Sequence, residues 1–227
     1  MKNKILKICI IVITIAIIVL IAVFAFVKPN AENLARQNVS EIDKVCYTSE
    51  QGIASLKIIS GERENPYVIN GSHENMQEFT LLIFRTDEIN VQSPTFIATI
   101  DSQSYNGILE QNPYDNTFVV DLEKQISQNA QINVVITVGN HEYNFDMQNV
   151  SDEWKISYDE ALNIAMEHFG EQVKQCIKGN DFNGELYVRI ITDVTNTFDK
   201  FFYHVTLVDD AGQSQSVVID VNTGEIL

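Results

Sequence analysis

The sequence predicts a chain in three structural parts: an N-terminal transmembrane helix, an all-β domain of immunoglobulin-like sandwich type, and a small α+β domain. Three observations carry this. Residues 8–27 hold no charged side chain. From about Cys46 to Val150 the apolar residues recur with period two. Beyond residue 154 one helical period is followed by three more alternating runs.

The apolar run ICIIVITIAIIVLIAVFAFV (8–27) is interrupted only by Thr14. As a helix it spans about 30 Å, the thickness of a hydrocarbon core. It exceeds the apolar stretch of a signal peptide and no A-x-A triplet follows it, so an uncleaved anchor is expected over a cleaved leader. Cys9 precedes most of the run, which fits a lipoprotein box poorly. Lys2, Lys4 and Lys7 outnumber Lys28, which places residues 1–7 in the cytoplasm as a tail and the remainder outside. Residues 28–45, KPNAENLARQNVSEIDKV, are polar and are expected to form a stalk, as a short helix or a flexible spacer.

The formal net charge is −16, and no acid occurs before Glu32. So acidic a body repels polyanions, and DNA or RNA is excluded as a partner class. Cys46 and Cys176 are the only thiols outside the apolar run. They form a disulfide if the compartment oxidises, or stand as two small buried hydrophobes.

Residues 46–150 form the β-sandwich-like domain. EFTLLIFR (78–85) sets Phe79, Leu81 and Ile83 against Leu82 and Phe84. TFIATI (95–100) and TFVVDL (117–122) are short and β-branched. INVVITV (132–138) puts Ile132, Val134, Ile136 and Val138 on one face, and Gly139-Asn140 turns it into a second alternating run. GERENPYVING (61–71) is expected to be a strand edge entering a turn, with Pro66 barring pairing on one side. Asn38, Asn70 and Asn149 head glycosylation triplets, which matter only in a glycosylating host.

In residues 154–227, Ser157 and Glu160 make a capping box. Ala161, Leu162, Ile164, Ala165 and Phe169 follow at helical spacing. Then come GELYVRIIT (184–192), FFYHVTLV (201–208) and SVVIDV (216–221), with turns at Asp209–Gly212 and Asn222-Thr223-Gly224. One helix on a three-stranded antiparallel sheet is the economical arrangement. Val217, Ile219 and Val221 are expected to face the helix, and Ile226 and Leu227 to pack after the turn.

Ile156-Ser157 with Glu160-Ala161 and Ile164-Ala165, Tyr203-x-Val205, Asp210-Ala-Gly212 and the closing Val218-x-Asp220-x-x-Thr223-Gly224-Glu225-Ile226-Leu227 resemble the PepSY family. The resemblance implies a small extracytoplasmic module of a kind found in propeptides of secreted metallopeptidases and in membrane-anchored bacterial surface proteins, for which peptidase inhibition or regulation has been proposed. No peptidase domain accompanies it here, so the expected partner is a separate peptidase or other envelope protein.

No catalytic, cofactor-binding or metal residue is predicted, and no cofactor. His73, His141, His168 and His204 are scattered, with no H-E-x-x-H pair. His204 is expected to be exposed. No nucleophile elbow, phosphate loop or C-x-x-C occurs. The acidic stretches DFNGE (181–185) and DDAG (209–212) read as solvated turns, short of the ligand count calcium needs. The expected role is a membrane-anchored extracytoplasmic binding or regulatory protein. An assembly component of an envelope complex, or a cell-wall-acting enzyme using carboxylates from both domains, is the alternative.

Overall fold

A computed structural model describes residues 31–66, 68, 73, 75–88, 91–192, 198 and 200–227. The expected tail (1–7) and anchor (8–27) lie outside the described residues. Among the described residues no helix is long and apolar enough to cross a membrane.

The elements run α1 (Ala31–Arg36), β1 (Val39–Gln51), β2 (Ala54–Glu64), β3 (Met76–Thr86), β4 (Thr95–Ile100), β5 (Gln103–Ile108), β6 (Glu110–Gln111), β7 (Thr117–Asp121), β8 (Ile132–Val138), β9 (His141–Asp146), β10 (Gln148–Asn149), α2 (Tyr158–Phe169), α3 (Glu171–Gln175), β11 (Ile177–Lys178), β12 (Asp181–Phe182), β13 (Gly184–Thr192), β14 (Phe201–Asp209) and β15 (Ser214–Asp220). A 3₁₀ turn, Ser151–Glu153, links the two halves.

The chain is mostly β-sheet. One nine-stranded sheet runs β15-β14-β13-β1-β2-β3-β7-β6, with β10 also on β1; a four-stranded sheet runs β5-β4-β8-β9. The two sheets share a core. Leu56, Ile58, Leu82 and Phe84 meet Phe96, Ala98, Val134, Ile136 and Phe145, all under 4% exposed. Period-two alternation builds this directly: INVVITV buries Ile132, Val134, Ile136 and Val138 as its pattern requires. Tyr47 pins the long connection that follows β7, its one hydroxyl proton shared between the Ser127 and Gln128 carbonyls, each at 2.8 Å, while its oxygen accepts from Ala130 N–H at 3.1 Å.

The second core lies under α2. Ala161, Leu162, Ala165, Met166 and Phe169 pack on Leu186, Val188, Tyr203, Val205, Val217, Ile219 and Val221. The helix begins where the sequence says: Ser157 Oγ accepts from Glu160 N–H at 3.2 Å, and Ser157 N–H donates to the Glu160 carboxylate at 2.8 Å.

Four expectations need correction. The segment 28–45 holds a short helix, α1 at residues 31–36, which is one of its two expected forms, but Val39–Val45 is the first part of β1 and not stalk. The C-terminal sheet does not stop at three strands, because β13 pairs in parallel with β1 through Val39–Leu186 and Ile42–Val188. This joins both halves into one sheet, since β1 also pairs with β2. Gly61, Glu62 and Arg63 are no edge, since β2 lies between β1 and β3 from Ala54 to Arg63; only Glu64 is paired with β3 alone. Ile226 and Leu227 do not pack deeply, being 38% and 70% exposed. Ile226 bridges Ile219 by backbone instead.

Candidate functional site

The signature Asp220-x-x-Thr223-Gly224-Glu225 has a folding role that its atoms spell out. Asp220 Oδ1 accepts from Asn222 N–H at 2.8 Å and Thr223 N–H at 3.0 Å, an Asx-type turn. Thr223 Oγ1 accepts from Glu225 N–H at 3.2 Å. Gly224 adopts φ +74°, and a Cβ there would stand 3.2 Å from Ile156 and 3.4 Å from Ile164. Within this turn, the Val221 carbonyl accepts from Lys155 and Ile156 N–H at 3.1 and 3.0 Å. The motif clamps the end of β15 to the start of α2.

That clamp borders a groove of about 460 Å³, lined by Lys44, Ser127, Trp154, Tyr158, Glu160 and Tyr203 among others. It sits between the two halves of the molecule. Trp154 stands edge-on to Tyr203 at 5.7 Å and tilts over Phe201 at 5.3 Å. Burial pushes the Tyr203 phenol well above its ordinary range, with nearby Asp43 adding to the effect, so it keeps its proton. The described lining contains neither Cys nor His. Lys44 is spent on Glu62 at 2.6 Å, and Asp159 faces Arg36 at 3.4 Å. Such a surface can stack on and hydrogen-bond a peptide; it offers no activated nucleophile.

Behind the groove lies a buried polar seam. Where β1 and β13 part, Asp43 accepts from Ile190 N–H at 2.6 Å, in place of the next backbone rung. Glu41 beside it holds Arg189, whose Nε donates at 2.7 Å. Burial, reinforced by Glu41, raises the Asp43 carboxyl to about 8, while the Ile190 N–H, Arg189 and Lys57 oppose the shift. A carboxyl raised in the fold binds its proton there and loses it on unfolding, so its stabilising contribution is full below about pH 4 and is lost as pH rises to 8. An asparagine in its place would keep the acceptor without the charge. Asp43→Asn is therefore expected to flatten the decline in stability between pH 5 and 8 and to gain a few kcal/mol at pH 8. Urea melts of both forms at three pH values check this; parallel profiles refute it.

The residues weighed in the sequence do not converge. His141 Nδ1 sits 2.9 Å from Glu88 on the exposed surface. His73 lies 3.4 Å from Asn38. His168 is exposed in the last turn of α2. His204 is half-buried rather than exposed, and burial, with Arg189 nearby, lowers its pKa. Glu185, read as part of a solvated turn, is fully buried and accepts from the Tyr187 hydroxyl. Asp209 spends Oδ1 on Ala211 and Gln213 N–H. Among the described residues no group of three His, Cys, Asp or Glu is placed to hold a metal. Cys46 and Cys176 are free and buried, and burial pushes the Cys46 thiol up to about 12. Two glycosylation triplets are spent internally: Asn38 donates to the Leu34 carbonyl at 2.9 Å and Asn149 to the Gln128 carbonyl at 2.6 Å, while Asn70 lies outside the described residues. Sequence reasoning missed Trp154, Tyr203 and Asp43 as a group; the lone Trp of the chain was the one available signal.

No curated protein and no solved structure matches the chain. Residues 155–227 match the family described as "Peptidase propeptide and YPEB domain", PepSY, so the unit formed by α2 and the three strands over it is a PepSY domain.

Proposed function

We propose that the chain is a membrane-anchored extracytoplasmic binding protein that modulates a separate peptidase or other envelope protein through its PepSY domain. Residues 8–27 serve as the anchor, with the N-terminus cytoplasmic and the folded body outside. The all-β half is an immunoglobulin-like sandwich: β2-β3-β7-β6 against β5-β4-β8-β9 repeats the A-B-E-D against C-F-G order, with one added strand beside C. The observation that carries the reading is the aromatic groove at the border of the PepSY domain, where the half-buried Trp154 and Tyr158, set over the buried Tyr203, offer recognition without reactive chemistry.

A photo-crosslinking amino acid at Tyr158, on the groove rim, tests this in intact cells. The expected result is a discrete adduct with a peptidase or other envelope protein, lost on Trp154→Ala. Adducts confined to cytoplasmic proteins, or none above background, overturn it.

A further inference from the structure

The sandwich carries a second face that its core does not use. Rows of partners cross β2, β3 and β7. Leu56–Phe84–Phe118 and Ile58–Leu82–Val120 belong to the core, so the alternate rows Ser55–Arg85–Thr117 and Lys57–Ile83–Val119 point away from it. The outward rows of an antiparallel sheet with one wet face are ordinarily polar. Here Leu81, Ile83 and Val119 floor a trough of about 830 Å³, walled by residues 110–116.

Two cations border that floor. Ion pairs occupy Arg36, Lys44, Arg63, Lys174, Lys178 and Arg189. Lys57 and Arg85 are in none of these pairs, although Lys57 acts at longer range on the buried Asp43, in a chain of net charge −16. Of the two acids in the wall, Asp115 is turned onto Thr117 N–H at 2.8 Å, and Glu110, exposed on β6, stands opposite Val119 at the far end of the Lys57–Ile83–Val119 row, with two strands between it and Lys57. Lys57 faces Ile83, and Arg85 is two residues further along the same strand. That diagonal is about 7–8 Å. Carboxylates two residues apart on an extended peptide stand about 7 Å apart on one face.

We propose that this trough binds an extended acidic peptide of the pattern acidic-x-acidic-x-apolar. Its two carboxylates meet Arg85 and Lys57, and its apolar side chain lies over Leu81. The lining of the trough comes from the sandwich alone, although Leu81 and Ile83 also pack against the core cluster that extends under α2; the peptide proposed here is a ligand distinct from whatever the groove beside Trp154 contacts. Attraction between partly exposed charges weakens with salt, so affinity falls as ionic strength rises.

The test uses the full chain in detergent micelles and a fluorescein-labelled Glu-Thr-Glu-Thr-Leu peptide followed by anisotropy. Saturable binding is expected, weakened at least tenfold by Lys57→Glu with Arg85→Glu and by raised salt, with an unchanged melting curve. Lys57→Gln with Arg85→Gln serves if charge reversal perturbs folding, and is expected to weaken binding in the same direction. Absence of saturable binding, equal affinity for a Lys-Thr-Lys-Thr-Leu peptide, or equal affinity in the neutral variant overturns the proposal. So does binding to phosphatidylglycerol vesicles, through Lys57 and Arg85, by a chain that ignores the peptide.

Discussion

Deletion of residues 221–227 is expected to abolish cooperative folding of the PepSY domain. Val221 is fully buried, and its carbonyl holds the Lys155 and Ile156 N–H groups. Burial of a Val side chain contributes about 1.5–3 kcal/mol. Each backbone hydrogen bond adds about 0.5–1.5 kcal/mol net. The turn that seats Gly224 against Ile156 and Ile164 goes as well. The sum, about 3–6 kcal/mol, approaches the whole stability of a small domain, about 5–15 kcal/mol. Deletion of residues 225–227 alone is the control: it removes three exposed side chains and the hydrogen bonds Glu225 N–H to Thr223, Asp220 N–H to Glu225 and Leu227 N–H to Val218. Its melting temperature is expected to fall by only a few degrees, at about 2–4 °C per kcal/mol. Hydrogen exchange resolves the two halves. Loss of protection in β13–β15 with the sandwich still protected is the outcome expected of the longer deletion, and equal behaviour of the two deletions refutes the clamp.

Gly61→Ala is expected to destabilise the centre of the large sheet. Here the reason is space rather than dihedral freedom. A Cβ on Gly61 would fall 1.9 Å from the Ile42 carbonyl oxygen and 2.9 Å from its carbon. The pairing of β1 with β2 shifts register between Asp43 and Val45, and this irregularity brings the backbones together opposite Gly61. The obstacle is main chain in a strand paired on both sides, so it cannot swing aside. Overpacking of this kind costs about 1–3 kcal/mol, and a backbone clash belongs at the upper end. A fall in melting temperature of about 6–12 °C follows. A change of under about 2 °C, less than 1 kcal/mol is worth, would show that β1 yields there at little cost. Because Asp43 is the residue opposite Gly61 and also accepts from Ile190 N–H, Gly61→Ala is also expected to alter the pH dependence that Asp43 imposes.

How far the sequence was readable depends on the range of each interaction. The capping box joins residues three apart, so Ser157 and Glu160 declared the start of α2 without help from the rest of the chain. Alternation in INVVITV and the Gly139 turn are equally local. The polar segment at 28–45 misled because its apolar residues are sparse. Val39 and Ile42 gain their cover from β13, in contacts that no local pattern reports. Glu185 misled for a related reason: an acid beside Asn183-Gly184 reads as a turn, whereas its place in β13 buries it against Tyr187.

The sequence alone determined the elements: the alternating runs, the single long helix of the C-terminal part and its cap, and the Asp-x-x-Thr-Gly-Glu turn that marks the PepSY domain. Hydrophobic period and backbone capping act over a few residues, and composition suffices to encode them. Tertiary structure decided that the two halves share one sheet, that Asp43 serves Ile190 across 147 residues of chain, and that Lys57 and Arg85 flank one apolar floor. Those outcomes follow from strand pairing at long separation, where register is set by the cores on both sides of a strand and not by the strand itself.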